Sequence, residues 1–120
     1  MSTKIRPEGC CETPNQPHSL PPRERERLVA MFKALGDPTR LDIFRLVGAQ
    51  DAPICACDVV DRFLVSQPTI SHHMRVLRDA GLITVSRRGV WAYYAADARG
   101  LALLQVSLEA FAPSLVAVAS

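Results

Sequence analysis

The residues of this 120-residue chain best suited to chemistry are its four cysteines, which fall in two pairs, Cys10-Cys11 and Cys55-Ala56-Cys57. Thiolates are soft ligands that select soft ions, and only the deprotonated form binds. Three or four of them with no histidine nearby in sequence point to a thiophilic metal or metalloid rather than a hard divalent ion. Packing is the competing explanation, because a single cysteine often serves as a small buried hydrophobe. That covers Cys55 or Cys57. It explains Cys10 and Cys11 poorly, since they sit in a polar stretch with no core to join. Residues i and i+2 of a regular helix lie about 200° apart. Cys55 and Cys57 can therefore share one ion only if the first turn is distorted or if Cys55 precedes it. Gathering thiolates there would strain or reposition that helix and whatever it supports. A redox switch, in which paired cysteines oxidise to a disulfide, uses the same residues. A thiol enzyme does not fit: its nucleophile needs a fixed base or an electropositive shell, and the chain has no Cys-x-x-Cys motif and no compact βαβ unit. The reading is no enzyme and no organic cofactor. His72 and His73 diverge by about 100° on a helix and cannot easily share an ion.

The elements that must position these groups form one domain, long enough to bury a core but not a large active-site cleft as well. Residues 1–22 hold five of the nine prolines and the Cys10-Cys11 pair, and read as an irregular, mobile arm. There is no hydrophobic leader in the first twenty residues and no run long enough to span a membrane. The expectation is a cytoplasmic protein with reduced thiols and no membrane partner. The folded domain is expected over 23–118. A helix from Arg23 carries Leu28, Met31, Phe32 and Leu35 and stops at Gly36; Asp37-Pro38 open a second, with Leu41, Phe44 and Val47 inward and Ile43 beside them. A short helix over Ile54–Leu64 follows. Asp97 caps a last helix in which Leu101, Leu104, Leu108, Phe111 and Leu115 repeat at 3-4-3-4 spacing. That seam suits either a dimer interface or a cover for the core.

Between these lies the segment Ser66 to Leu82. Ser66 is a good N-cap, Pro68 occupies the first turn and Gly81 closes the helix. Ile70, Met74 and Leu77 make one apolar stripe, leaving Gln67, Thr69, Ser71, His72, Arg75 and Arg78 elsewhere. Taken alone this is a solvated helix face. Directly afterwards, Leu82 to Ala95 reads as a hairpin turning at Arg88-Gly89, with two adjacent arginines at its tip. From Ser66 to Val90 there are four arginines and one acid, although the whole chain has a net charge of only +2. A polar-faced helix followed by a basic-tipped hairpin is the plan of a winged helix-turn-helix, mainly α with a two-stranded β-hairpin wing. Ser66, Gln67, Thr69, Ser71, His72, His73 and Arg75 are then expected on double-stranded DNA through the major groove, with Arg87 and Arg88 on the wing.

Three segments, Phe32 to Leu41 (FKALGDPTRL), Ser66 to His73 (SQPTISHH) and Leu77 to Leu82 (LRDAGL), resemble the ArsR/SmtB family of metalloregulatory repressors over about residues 23–118. The resemblance implies a homodimeric repressor, with terminal dimerisation helices, that leaves its operator when a toxic metal or metalloid binds. In that family a Cys-x-Cys at the start of the first helix-turn-helix helix marks arsenic, antimony, cadmium or lead sensors, matched by Cys55 and Cys57. Arsenic sensors of that type usually carry a third cysteine where this chain has Val60. Members also exist in which an N-terminal cysteine pair completes the site, matched by Cys10 and Cys11. A three-thiolate set from Cys10, Cys11 and Cys55 would suit arsenic(III) or antimony(III) as inducer. All four cysteines together would resemble the cadmium and lead sensors. The adjacent arm cysteines favour the metalloid. The last helix has Asp97 and Glu109 but no histidine, which argues against the family's zinc site.

Overall fold

A side-chain oxygen marks the start of three helices. The Asp37 carboxylate accepts the Arg40 backbone N–H at 3.0 Å, the Ser66 hydroxyl accepts that of Thr69 at 3.4 Å, and the Asp97 carboxylate accepts those of Arg99 and Gly100 at 3.0 and 3.4 Å. The computed structural model describes residues 20–112, so Cys10, Cys11, His18 and Leu115 lie outside the described residues. The order of elements is α1 (Pro22–Leu35), α2 (Pro38–Gly48), β1 (Ile54–Cys55), α3 (Ala56–Phe63), α4 (Gln67–Asp79), β2 (Ile83–Arg88), β3 (Trp91–Ala96) and α5 (Ala98–Phe111). Among the described residues no helix is long and apolar enough to cross a membrane.

The core draws on almost every element. Leu28 and Met31 of α1, Ile43 and Val47 of α2, Val59 of α3, Ile70, Met74 and Leu77 of α4, Leu82, Ile83 of β2 and Leu104 of α5 form one buried cluster. The helix of the segment Ser66–Leu82 ends as expected, in a Schellman motif. Gly81, at φ +81°, donates to Arg78 O, and Leu82 N–H reaches back to Leu77 O. The start of α5 presses on this turn: a Cβ at Gly100 would collide with the Gly81 carbonyl oxygen, and the Met31 side chain packs beside both glycines.

Three sequence expectations are corrected. Ile54 and Cys55 are not helical. They form a two-residue strand paired with Tyr94 and Tyr93, so the wing belongs to a three-stranded antiparallel sheet of order β1-β3-β2. The hairpin turns one residue later than expected, at Gly89-Val90, with Gly89 at φ +63° in the first loop position. Arg87 and Arg88 thus end a strand rather than form its turn. Leu41 is exposed, because Ile43 and Val47 set the buried side of α2 and Leu41 lies about 200° from Ile43. In α5 the inward stripe is Gly100, Leu104 and Ser107; Leu104 of the seam joins the core, while Leu108 and Phe111 are exposed, so the seam is not a cover for the core alone.

Candidate DNA interface and thiol site

Helix α4 separates its two faces cleanly. Ile70, Met74 and Leu77 are essentially inaccessible, while Gln67, Thr69, Ser71, His72, Arg75 and Arg78 are exposed. Ser66 is exposed too, and its hydroxyl is occupied within the cap, 2.8 Å from the Thr69 hydroxyl. The two histidines divide. His72 stays on the outer face, whereas His73, one residue on and about 100° round the helix, turns toward α2. There Arg40 Nη1 donates to His73 Nδ1 at 3.3 Å, and Arg40 Nε donates to the Ala34 carbonyl at 2.7 Å. Burial pushes the His73 pKa down, Asp37 opposes this, and Arg40 and His72 push it down further. A neutral ring is what that contact requires, since an imidazolium has no lone pair to offer Arg40. His73, expected to face DNA, is therefore placed as an inward strut. Arg40 joins the end of α1, the start of α2 and α4, a role the sequence reading missed. The signal available for it was only its place three residues after the Asp37 cap, whose carboxyl is held below its ordinary value by the Arg40 backbone N–H.

On the wing, strand alternation sends adjacent arginines to opposite faces. The register pairs Arg87 with Ala92 and Arg88 with Trp91. Ile83, Val85, Arg87 and Tyr94 share one face, and Tyr94 packs on the core. The other face carries Arg88, Trp91 and Tyr93, with the Arg88 guanidinium 4.8 Å from the centre of the Tyr93 ring. Val90 at the tip is 87% exposed and Trp91 54%. The helix and wing together present amide, hydroxyl, imidazole and guanidinium groups, the donor set that reads base edges and phosphates.

The thiols sit at the joint between sheet and helix. Cys55 precedes α3 as its N-cap, one of the two arrangements the spacing allowed. Its buried sulfur accepts the Cys57 backbone N–H at 3.4 Å. Cys57 is exposed in the first turn. Its hydrogen bond to the Cys55 thiol pushes the Cys57 thiol above its ordinary value, with desolvation and the Asp58 charge acting in the same sense and the Asp58 backbone N–H opposing them. Both sulfurs thus belong to one helix end, and that helix packs on α4. The described residues contain no group of three metal-binding side chains. They supply two thiols of the right chemistry, and a three-thiolate set must draw on Cys10 or Cys11.

The chain matches a family model described as a helix-turn-helix domain over residues 35–86. It is 42% identical over 64 residues to the arsenical resistance operon repressor of Staphylococcus xylosus, a match covering 53% of this chain. The chain spans 60% of that repressor's length. A solved structure described as a possible transcriptional regulator for arsenical resistance is 30% identical, with a TM-score of 0.61, over 76% of this chain and 97% of that one. An ArsR-like transcriptional regulator from Rhodococcus sp. RHA1 is 28% identical, with a TM-score of 0.64, over 78% and 91%. With a winged helix-turn-helix already built from its own caps, stripe and hairpin, the chain belongs to the ArsR/SmtB family of DNA-binding transcriptional regulators, which are not enzymes.

Proposed function

We propose that this protein is a metalloid-responsive repressor that binds operator DNA as a homodimer and dissociates when arsenic(III) or antimony(III) binds its cysteine thiolates. The observation that carries the reading is the placement of Cys55 and Cys57 at one end of α3, the helix that packs on α4. The relatives named for arsenical resistance support the choice of inducer. Cys10 and Cys11 complete the site. In the DNA-bound state Gln67, Thr69, Ser71, His72 and Arg75 face the major groove and Arg87 and Arg88 the backbone or minor groove, with Ser66 holding the helix start. The partly uncovered Val29 and Phe32 of α1, with Leu108 and Phe111 of α5, form the dimer surface; Phe32 and Phe111 already stack, with centroids 6.3 Å apart. Binding exchanges As–OH and S–H bonds for S–As bonds and water, and arsenic stays in oxidation state three. The Cys55 sulfur then no longer caps α3, which shifts the support of α4.

The test is a fluorescence anisotropy titration of labelled operator DNA, adding arsenite, antimonite, cadmium, lead, zinc and then peroxide. Release by arsenite or antimonite is expected, and is expected to vanish in Cys55→Ser. Release by cadmium or lead alone would favour a four-thiolate site. Release only by peroxide, reversed by reductant, would favour a disulfide switch. Arg75→Ala is expected to weaken operator binding about five- to 150-fold, with selectivity reduced at one base position.

A further inference from the structure

We infer that Tyr93 is a positioning residue that holds Arg88 for DNA and makes the wing respond to the state of Cys55. The inference rests on the proposed role of Cys55 as an inducer ligand. Tyr93 lies in the middle strand, directly opposite Cys55 on one side and Ser86 on the other. Side chains in such a row share one face of the sheet at close range. Diagonally across the hairpin the same ring carries the Arg88 guanidinium at 4.8 Å. One aromatic side chain therefore neighbours both the candidate ligand and a candidate DNA contact.

The link is asymmetric in stiffness. β2 and β3 share six register pairs, whereas β1 is only two residues long and shares two. Cys55 is also tied to α3, through the bond its sulfur accepts from Cys57 N–H. A ligand that takes the Cys55 sulfur removes that bond and displaces the short strand, not the hairpin. The Tyr93 ring then loses its fixed neighbour on one side while still carrying Arg88 on the other. The wing is thereby informed of the thiol site by a route separate from the shift in the support of α4.

Trp91, the only tryptophan of the chain, stands opposite Arg88 at the wing and serves as a built-in reporter. The experiment titrates DNA-free, full-length protein with arsenite under reducing conditions. It follows sulfur–arsenic absorption in the near ultraviolet and Trp91 emission together, for the parent protein, Tyr93→Phe and Tyr93→Leu. In the parent and Tyr93→Phe, emission is expected to change in step with absorption. Tyr93→Leu is expected to bind arsenite with the same absorption yet lose most of the emission change. Its operator affinity is expected to fall about two- to thirtyfold, the range of one cation–π contact, with recovery in Tyr93→Phe. Should Tyr93→Leu fail to fold, Arg88→Gln removes the same contact from an exposed position and is expected to lose the emission change too. Absorption without an emission change in the parent protein, or an undiminished response in Tyr93→Leu, would overturn the inference. Absence of the absorption itself would overturn the ligand role of Cys55 and this inference with it.

Discussion

Helix α4 and the β1–α3 joint are adjacent in the fold and opposite in construction. The recognition helix carries its own cap, its own buried stripe, its own closing glycine and its own polar face within Ser66 to Gly81. The joint, by contrast, depends on a part that lies far away in the chain: its two-residue strand is held by β3, its cap is made by a sulfur, and its helix has only eight residues. Reading DNA needs one rigid face held by local rules. Sensing needs a place that a small ligand can disturb, and a short edge strand is such a place.

That contrast gives a graded set of expectations. The largest effect falls on α4. Met74→Ala empties a fully buried position and is expected to cost about 2–5 kcal/mol of stability, whereas Cys55→Ser at the joint keeps a capping side chain and stays within about 1 kcal/mol. Urea unfolding of both variants checks this, and equal losses would erase the contrast. A smaller effect separates possible ligands at the joint. The Cys55 thiol raises the pKa of Cys57 and so favours its protonated form; cadmium binds only thiolates, and its affinity is expected to rise about tenfold per pH unit for each proton released. Arsenite condenses with thiols to give water, so its affinity is expected to stay nearly flat over the same range. Calorimetric titrations at several pH values measure both. The smallest effect returns to α4. His73 has a lowered pKa when folded, so below its ordinary value of 6.5 the unfolded chain binds the proton more readily. Stability is expected to fall as pH drops through and below that value, and His73→Gln is expected to flatten the fall in a comparison of urea midpoints.

The same contrast decides what could be read from the chain. Caps, stripes and the closing Gly81 act within a turn or two, so α1, α2, α4 and the start of α5 were legible, as was the existence of a wing. Ile54 and Cys55 owe their extended form to Tyr93 and Tyr94, some forty residues away, and no local pattern announces that. The hairpin could be read from Leu82 to Ala95, but only the register shows that Val85 pairs with Tyr94 and that Tyr93 lies on the opposite face. Leu64, at φ +51° between α3 and α4, stands where glycine or asparagine would have signalled the turn. Of the candidate DNA residues, His73 was misplaced because adjacent histidines look alike in sequence and only the packing of Arg40 tells them apart. Of the thiols, Cys10 and Cys11 lie outside the described residues, and Cys55 precedes its helix, one of the two arrangements that the spacing left open.

Gly100 touches neither the polar face of α4 nor the thiols, yet it lies against Gly81 with no room for a methyl group. The two glycines are constrained for different reasons, Gly81 by its backbone angle and Gly100 by its neighbour. A survey of heritable variants should therefore find position 100 as intolerant as the residues proposed to face the groove. The simplest base changes there would yield alleles that have lost operator control while every recognised contact residue remains intact. In this molecule sensitivity to mutation is expected to extend to a buried position outside the proposed DNA and thiol sites.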